Sequence, residues 1–143
     1  MASLREQVIE AVVALLQTAV PTAEVKRNVD APDRAPTGGL IVVRDGDPGE
    51  PEQTFSPLTY TYTHAIGVEV VAPADPDARS AALDAILIGI GNAVEADRTL
   101  GGLAEWLEPT SPDLGDARAT NAQPVRWATF DLNAVYSTRN PLV

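Results

Sequence analysis

The sequence predicts an α+β fold, a mainly antiparallel sheet of about four strands with two helices packed on one face, in the order α-β-β-α-β-β. Three observations carry that expectation. Two segments repeat apolar residues at helical spacing, near the N-terminus and in the middle of the chain. Two long segments, Leu58–Pro73 and Arg126–Ser137, alternate polar and apolar residues. Leu40–Arg44 and the strand within Leu58–Pro73 are separated by a turn-rich acidic stretch, which suits an antiparallel pair joined by a large loop. With 143 residues, 45% of them hydrophobic, the chain is expected to form a single domain, 1–143, with a real core.

The first helix is expected from about Leu4 to Ala19. Ser3-Leu4-Arg5-Glu6 matches a capping box, in which the Ser3 hydroxyl accepts from the Glu6 amide and Glu6 reaches back to Ser3. Leu4, Val8, Val12, Leu15 and Leu16 mark its apolar face, and Pro21 stops it. The polar face has no excess of Lys and Arg, so it does not read as a membrane anchor. Residues 21–39 read as a surface loop, with a short strand considered at Glu24–Asn28. Leu40–Arg44 is β-branched and reads as a strand. Asp45-Gly46-Asp47-Pro48-Gly49-Glu50-Pro51-Glu52 reads as a solvated projecting loop, extending over about 45–58.

In the next strand Tyr60, Tyr62, His64, Ile66, Val68 and Val70 share one face. At this length it spans about 40 Å, so its far end is expected to leave the domain body and pair elsewhere. Gly67 reads as a bulge or bend. Asp75 as N-cap and Pro76 at the first helical position open the second helix, which ends near Asp97. Its Gly89 and Gly91 permit close backbone approach. Leu103–Glu108, with Trp106, reads as a short strand. Residues 109–125 read as a second loop, and Arg126–Ser137 as the closing strand.

No catalytic constellation emerges. His64 is the chain's one histidine, and its same-face neighbours Tyr62 and Ile66 supply neither an orienting acid nor a nucleophile. It reads as a strand or interface histidine. There is no cysteine, and a lone histidine falls short of a zinc cluster. Gly89-Ile90-Gly91 lies inside a helix and lacks the third glycine of a dinucleotide fingerprint. Asp45, Asp47, Glu50 and Glu52 lack the glycine and glutamate spacing of a calcium loop. No cofactor and no metal are therefore expected. The net charge of −10 and pI near 4.3 argue against direct binding of nucleic acid or anionic membranes. No signal peptide and no membrane span are expected either.

The segments LREQVIEAVVALL, DARSAALDAILIGIGNAV, DRTLGGLAEWLEP and WATFDLNAVYST, in that order, resemble the small tail terminator (tail completion) proteins of long-tailed bacteriophages and phage-like gene transfer agents. The resemblance covers nearly the whole chain and contains no catalytic motif. The acidic insertion at 45–54 is more elaborate than in a minimal member. The resemblance implies a structural virion protein at the tail neck, assembled in the host cytoplasm. Its partners would be itself, as a hexameric ring, the tail tube protein and the head completion or connector protein. DNA would pass through the central channel as cargo. Candidate interface residues are Lys26, Arg27, Arg34, Tyr60, Tyr62, His64 and Trp127. Candidate channel or loop acids are Asp45, Asp47, Glu50 and Glu52. Other readings are a head-to-tail stopper or connector, a small acyl-transferring enzyme, or a ligand-binding module. The last is disfavoured by a content of only 2 Trp, 3 Tyr and 2 Phe.

Overall fold

In the computed structural model, which describes residues 1–30, 36–73, 77–117 and 125–143, two helices cover one face of a mixed, seven-stranded sheet. The strands are β1 (Glu24–Arg27), β2 (Leu40–Arg44), β3 (Glu52–Thr54), β4 (Thr59–Val71), β5 (Trp106–Pro109), β6 (Asp113–Ala117) and β7 (Val125–Thr138). The sheet order is β1-β2-β4-β7-β5, with β3 on β4 and β6 on β7. This corrects the expected four-stranded antiparallel sheet. Three short strands were not in that count, and β1 runs parallel to β2, with Glu24 opposite Leu40 and Arg27 opposite Val43.

The spine is the antiparallel pair β4–β7, in register from Tyr60–Thr138 to Val71–Trp127. Both strands outrun their neighbours. That leaves room for two partners end to end on each side. β2 takes the Gly67–Val71 end of β4, and β3 takes the Thr59–Thr61 end. β5 and β6 divide the outer edge of β7 in the same way. The far end of β4 thus pairs within its own chain, where an outside partner was expected. The ladder also passes through Gly67 opposite Asp131 without a bulge. A Cβ on Gly67 would lie 3.3 Å from the Cβ of Arg44, so glycine there makes room for the neighbouring strand's arginine.

α1 (Leu4–Ala19) buries Val8, Ile9, Val12 and Leu16, and α2 (Arg79–Ala96) buries Leu83, Ile86, Ile90 and Val94. Both stripes pack on Ile41 and Val43 of β2, the apolar even-numbered residues of β4 and β7, and Leu107 of β5. Gly89 sits where the helices meet, its missing Cβ 3.4 Å from the Ala19 carbonyl oxygen, whereas a Cβ on Gly91 would meet nothing. α2 starts later than expected, with Ala78 in the N-cap position and no side-chain cap. The expected cap residues Asp75 and Pro76 lie outside the described residues, as does the 118–124 part of the second loop.

Only half of the expected capping box forms. The Glu6 amide donates to Ser3 Oγ at 3.2 Å, but the Glu6 carboxylate turns to Arg27. Ser3→Ala is expected to lower stability by about 1 kcal/mol. A chemical-denaturation midpoint shift at constant m value checks this.

Candidate functional site

The chain leaves β2 at Asp45, and three side chains grip that residue. Asn28 ends β1 in the left-handed region, at φ 53°, a conformation asparagine tolerates. Its Oδ1 accepts from the Asp45 amide at 3.0 Å. The Asp45 carboxylate accepts from Arg27 Nε and Nη2 at 2.6 and 2.7 Å. The same guanidinium donates to both Glu6 oxygens at 2.6 and 2.8 Å, joining α1 to β1 and to the start of the acidic segment. The third grip is from below, where His64 Nε2 lies 2.6 Å from the Asp45 carbonyl oxygen.

That contact fixes the histidine tautomer. A carbonyl can only accept, so Nε2 carries the proton, and Nδ1 accepts from the Tyr136 hydroxyl at 2.9 Å. His64 is fully buried, and Tyr62 stacks on Tyr136 with ring centroids 5.6 Å apart. Burial lowers the His64 pKa, so the imidazole stays neutral. Burial pushes the Tyr136 hydroxyl up to about 12. Both imidazole nitrogens are committed, and the hydroxyl bonded to Nδ1, that of Tyr136, is buried with the ring. This arrangement ties strands together and is not set up to transfer a proton to a substrate.

Hydrogen bonds from Arg27 hold the Glu6 and Asp45 carboxyls below their ordinary values, and the two carboxylates raise the arginine in turn. Stability from this triad is therefore complete above the ordinary carboxylate range. It is lost as pH falls through the lowered pKa values. Glu6 and Asp45 are 36% and 34% exposed, so screening limits the expected cost of Arg27→Lys to roughly 1–2 kcal/mol. Urea unfolding at neutral pH and again near pH 3 checks both points, since the difference from wild type should shrink in acid.

Beyond Asp45 the chain becomes an arm. Glu52 to Leu58 is exposed at every residue, and β3 pairs only with β4 among the described residues. The arm ends in a turn that presents Phe55 and Leu58, 74% and 41% exposed, with a cis Ser56–Pro57 peptide. Among the described residues the outer edge of β3 is unpaired. At the opposite side of the sheet, Arg98 donates to the Leu107 carbonyl at 2.9 Å and to Glu108 at 2.7 Å. Its guanidinium lies 4.9 Å from the Trp106 ring centroid, closing part of the β5 edge. The face of the sheet away from the helices carries an open concavity of about 270 Å³, lined by Arg44, Glu69, Thr110, Asp113, Thr129 and Asp131.

The candidate interface residues divide. Lys26 is exposed and lies 3.7 Å from Glu24, and Arg27 is consumed by its two carboxylates. Tyr60 is half-buried at the core margin, whereas Tyr62, 7% exposed, and His64, fully buried, belong to the core. Trp127 is half-buried, its ring lying over Gly115 of β6 so closely that a Cβ there would fall 2.6 Å from Cζ2. Arg34 lies outside the described residues. Among the acids, Asp45 is an ion-paired anchor and not a free loop acid, while Asp47 caps the Gly49 amide at 2.8 Å. Glu50 and Glu52 are exposed. The exposed Phe55 and Leu58 and the edge residue Arg98 were not singled out from the sequence. Two apolar side chains in an otherwise acidic loop were the available signal for the arm.

No group of three or more His, Cys, Asp or Glu side chains among the described residues is placed to hold a metal. No helix among the described residues is long and apolar enough to cross a membrane. No protein-family model matches the chain, and no curated protein matches it significantly.

Proposed function

We propose that the protein is a structural subunit of a phage-type tail terminator. In this reading copies of the chain close into a ring, probed first as a hexamer, that caps the tail tube, ends its growth and presents a docking surface to the head connector. DNA passes through the central channel without sequence-specific contact. The observation that carries the reading is the hairpin arm, a run of exposed residues ending in Phe55 and Leu58 that its own chain does not cover. A closed ring needs a heterologous contact, in which one surface meets a different surface on the neighbour. The sheet supports such a contact, because its β1/β3 side and its β5/β6 side face opposite ways. The resemblance of the helix, turn and closing-strand segments supplies the tail terminator assignment itself.

Light scattering and negative-stain imaging of the purified protein, alone and with tail tube subunits, test the proposal. Rings with a central hole, and tubes whose growth stops when the protein is added, support it. A chain that stays monomeric at every concentration and leaves tube length unchanged overturns it. Binding to connector but not to tube would assign the protein to the stopper position.

A further inference from the structure

We propose that the tip of the hairpin arm seats on the outer face of α2 in the next copy of the chain, with Phe55 and Leu58 packing on Ala81, Ala85 and Ile88. The inference rests on the ring reading and names the surface that receives the arm. It stands on two uncharged apolar surfaces that lie on opposite sides of an acidic domain.

The outward face of a surface helix is ordinarily charged or polar. That of α2 carries Ala81, Ala85, Ile88 and Asn92 at helical spacing, all exposed, with Ile88 55% exposed. Its acids, Asp84 and Glu95, keep to one border of the face. Gly91 adds a separate observation. Glycine inside a helix lowers stability relative to alanine. Gly89 has a return for that cost in its approach to Ala19, whereas nothing in the chain lies within 4 Å of the position of a Gly91 Cβ. A neighbour lying along that flank supplies the missing reason.

Charge selects α2 over the other exposed apolar positions. Each copy carries a net charge of −10, so copies meet where charge is sparse. The arm meets that condition at its tip, because no Asp, Glu, Lys or Arg occurs from Gln53 to Val68, and Glu50 and Glu52 stay at its base. Leu114 lies on the β6 edge beside the exposed Asp113, which would face the arm's own acids. Trp106 is already engaged, with Arg98 over its ring and its indole N–H donating to Glu108. Both chain ends lie on the arm's own side, where Leu4, Pro48 and Val143 line one cleft. α2 packs over β5 and β7, whereas the arm leaves the β1/β2 side of the sheet. Tip and helix face therefore cannot meet within one chain. Joined between chains, they make the head-to-tail contact that a ring requires. Two side chains on one helix face form a small contact, so a pair of free copies binds weakly. A closed ring, in which each copy gives one arm and receives one, gains from all its contacts together.

The chain has no cysteine, so paired cysteines read the contact directly. Ser56→Cys and Ala85→Cys, prepared separately on the full chain, mixed and mildly oxidised, are expected to form a mixed disulfide dimer, since the bond requires Cα atoms about 4.4–6.8 Å apart. Ser56→Cys mixed with Leu114→Cys is expected to form little. Ile88→Asp is expected to weaken association at least about tenfold in sedimentation velocity, with a denaturation midpoint near that of wild type. Combined with the loss of Phe55 and Leu58, it should add little, because both changes remove one contact. The cysteine pair gives the same answer if Ile88→Asp fails to fold. A preference of Ser56→Cys for Leu114→Cys or for itself overturns the proposal. So does association that Ile88→Asp leaves intact while the arm substitutions weaken it, and in both cases the ring reading stands. A chain that never associates, with or without tube subunits, overturns both.

Discussion

On the proposed ring, the double substitution Phe55→Asp with Leu58→Asp is expected to leave the chain folded but to weaken the association between copies. The two side chains are 74% and 41% exposed, at the tip of an arm whose residues from Glu52 onward touch little besides β4. Removing them from the isolated chain costs almost nothing, within about 0.5 kcal/mol, because no core contact and no cap is lost. In an assembly the same residues would sit in a neighbour's pocket. Burying a carboxylate there is costly, and apolar anchors at the centre of a contact are worth about 2 kcal/mol or more. Self-association should therefore weaken at least about thirtyfold. Sedimentation velocity over a concentration series, paired with denaturant unfolding, separates the outcomes. Unchanged association with unchanged stability would show that the arm is not the contact element. Lost association with lost stability would mean that the arm supports the fold, and the ring reading would then lose the observation that carries it.

The helices and long strands were legible because periodicity reports burial, and their buried faces are continuous. Tyr62, His64, Ile66, Val68 and Val70 point to the helices as the alternation predicted, and so do Ala128, Phe130, Leu132, Ala134 and Tyr136. The short strands were not legible because their own residues do not specify them. Glu52-Gln53-Thr54 and Asp113-Leu114-Gly115-Asp116-Ala117 have poor strand propensity. They extend because β4 and β7 outrun their other partners and leave backbone donors and acceptors to be satisfied. Gly115 adds a specific reason, since only a missing side chain lets the Trp127 ring lie over β6. The parallel pairing of β1 was hidden for a related cause. Glu24–Arg27 alternates exposed and half-buried residues, and its direction is set by contacts with β2 and α1.

The candidate site was legible in parts and not as a unit. His64 was visible as an unusual residue on an apolar face, but its partner Asp45 lies 19 residues away and contributes a carbonyl, which no side-chain pattern can reveal. Glu6 fitted a local capping box and was drawn instead to Arg27, because a bidentate ion pair outweighs a single bond to an amide. Tyr136 looked like one more apolar-face residue of β7. Its hydroxyl bonds the histidine Nδ1, and that contact follows only from the register that sets Tyr62 opposite Tyr136 and His64 opposite Ala134.

Ile66→Ala is expected to be the most destabilising single substitution tested, at about 2–5 kcal/mol. Ile66 has no exposed surface, stands opposite Leu132 at the middle of the β4–β7 spine, and lies under the helical layer. Close packing from both directions prevents collapse around the missing atoms, which puts the cost in the upper half of the range. A domain of this size holds about 5–15 kcal/mol in all, so the melting temperature should fall by roughly 10–15 °C. The informative control lies three residues away on the same strand. Thr63 faces the side of the sheet that the helices leave open and is exposed, so Thr63→Ala should cost no more than about 0.5 kcal/mol in the isolated chain. Thermal melts of the two variants test which face of β4 the chain itself has covered. A large cost at Thr63 would mean that the open face is already buried in solution, by another copy or by residues outside those described. The same comparison repeated after assembly would then locate the neighbour, because a surface that becomes sensitive only in the ring is one the ring covers.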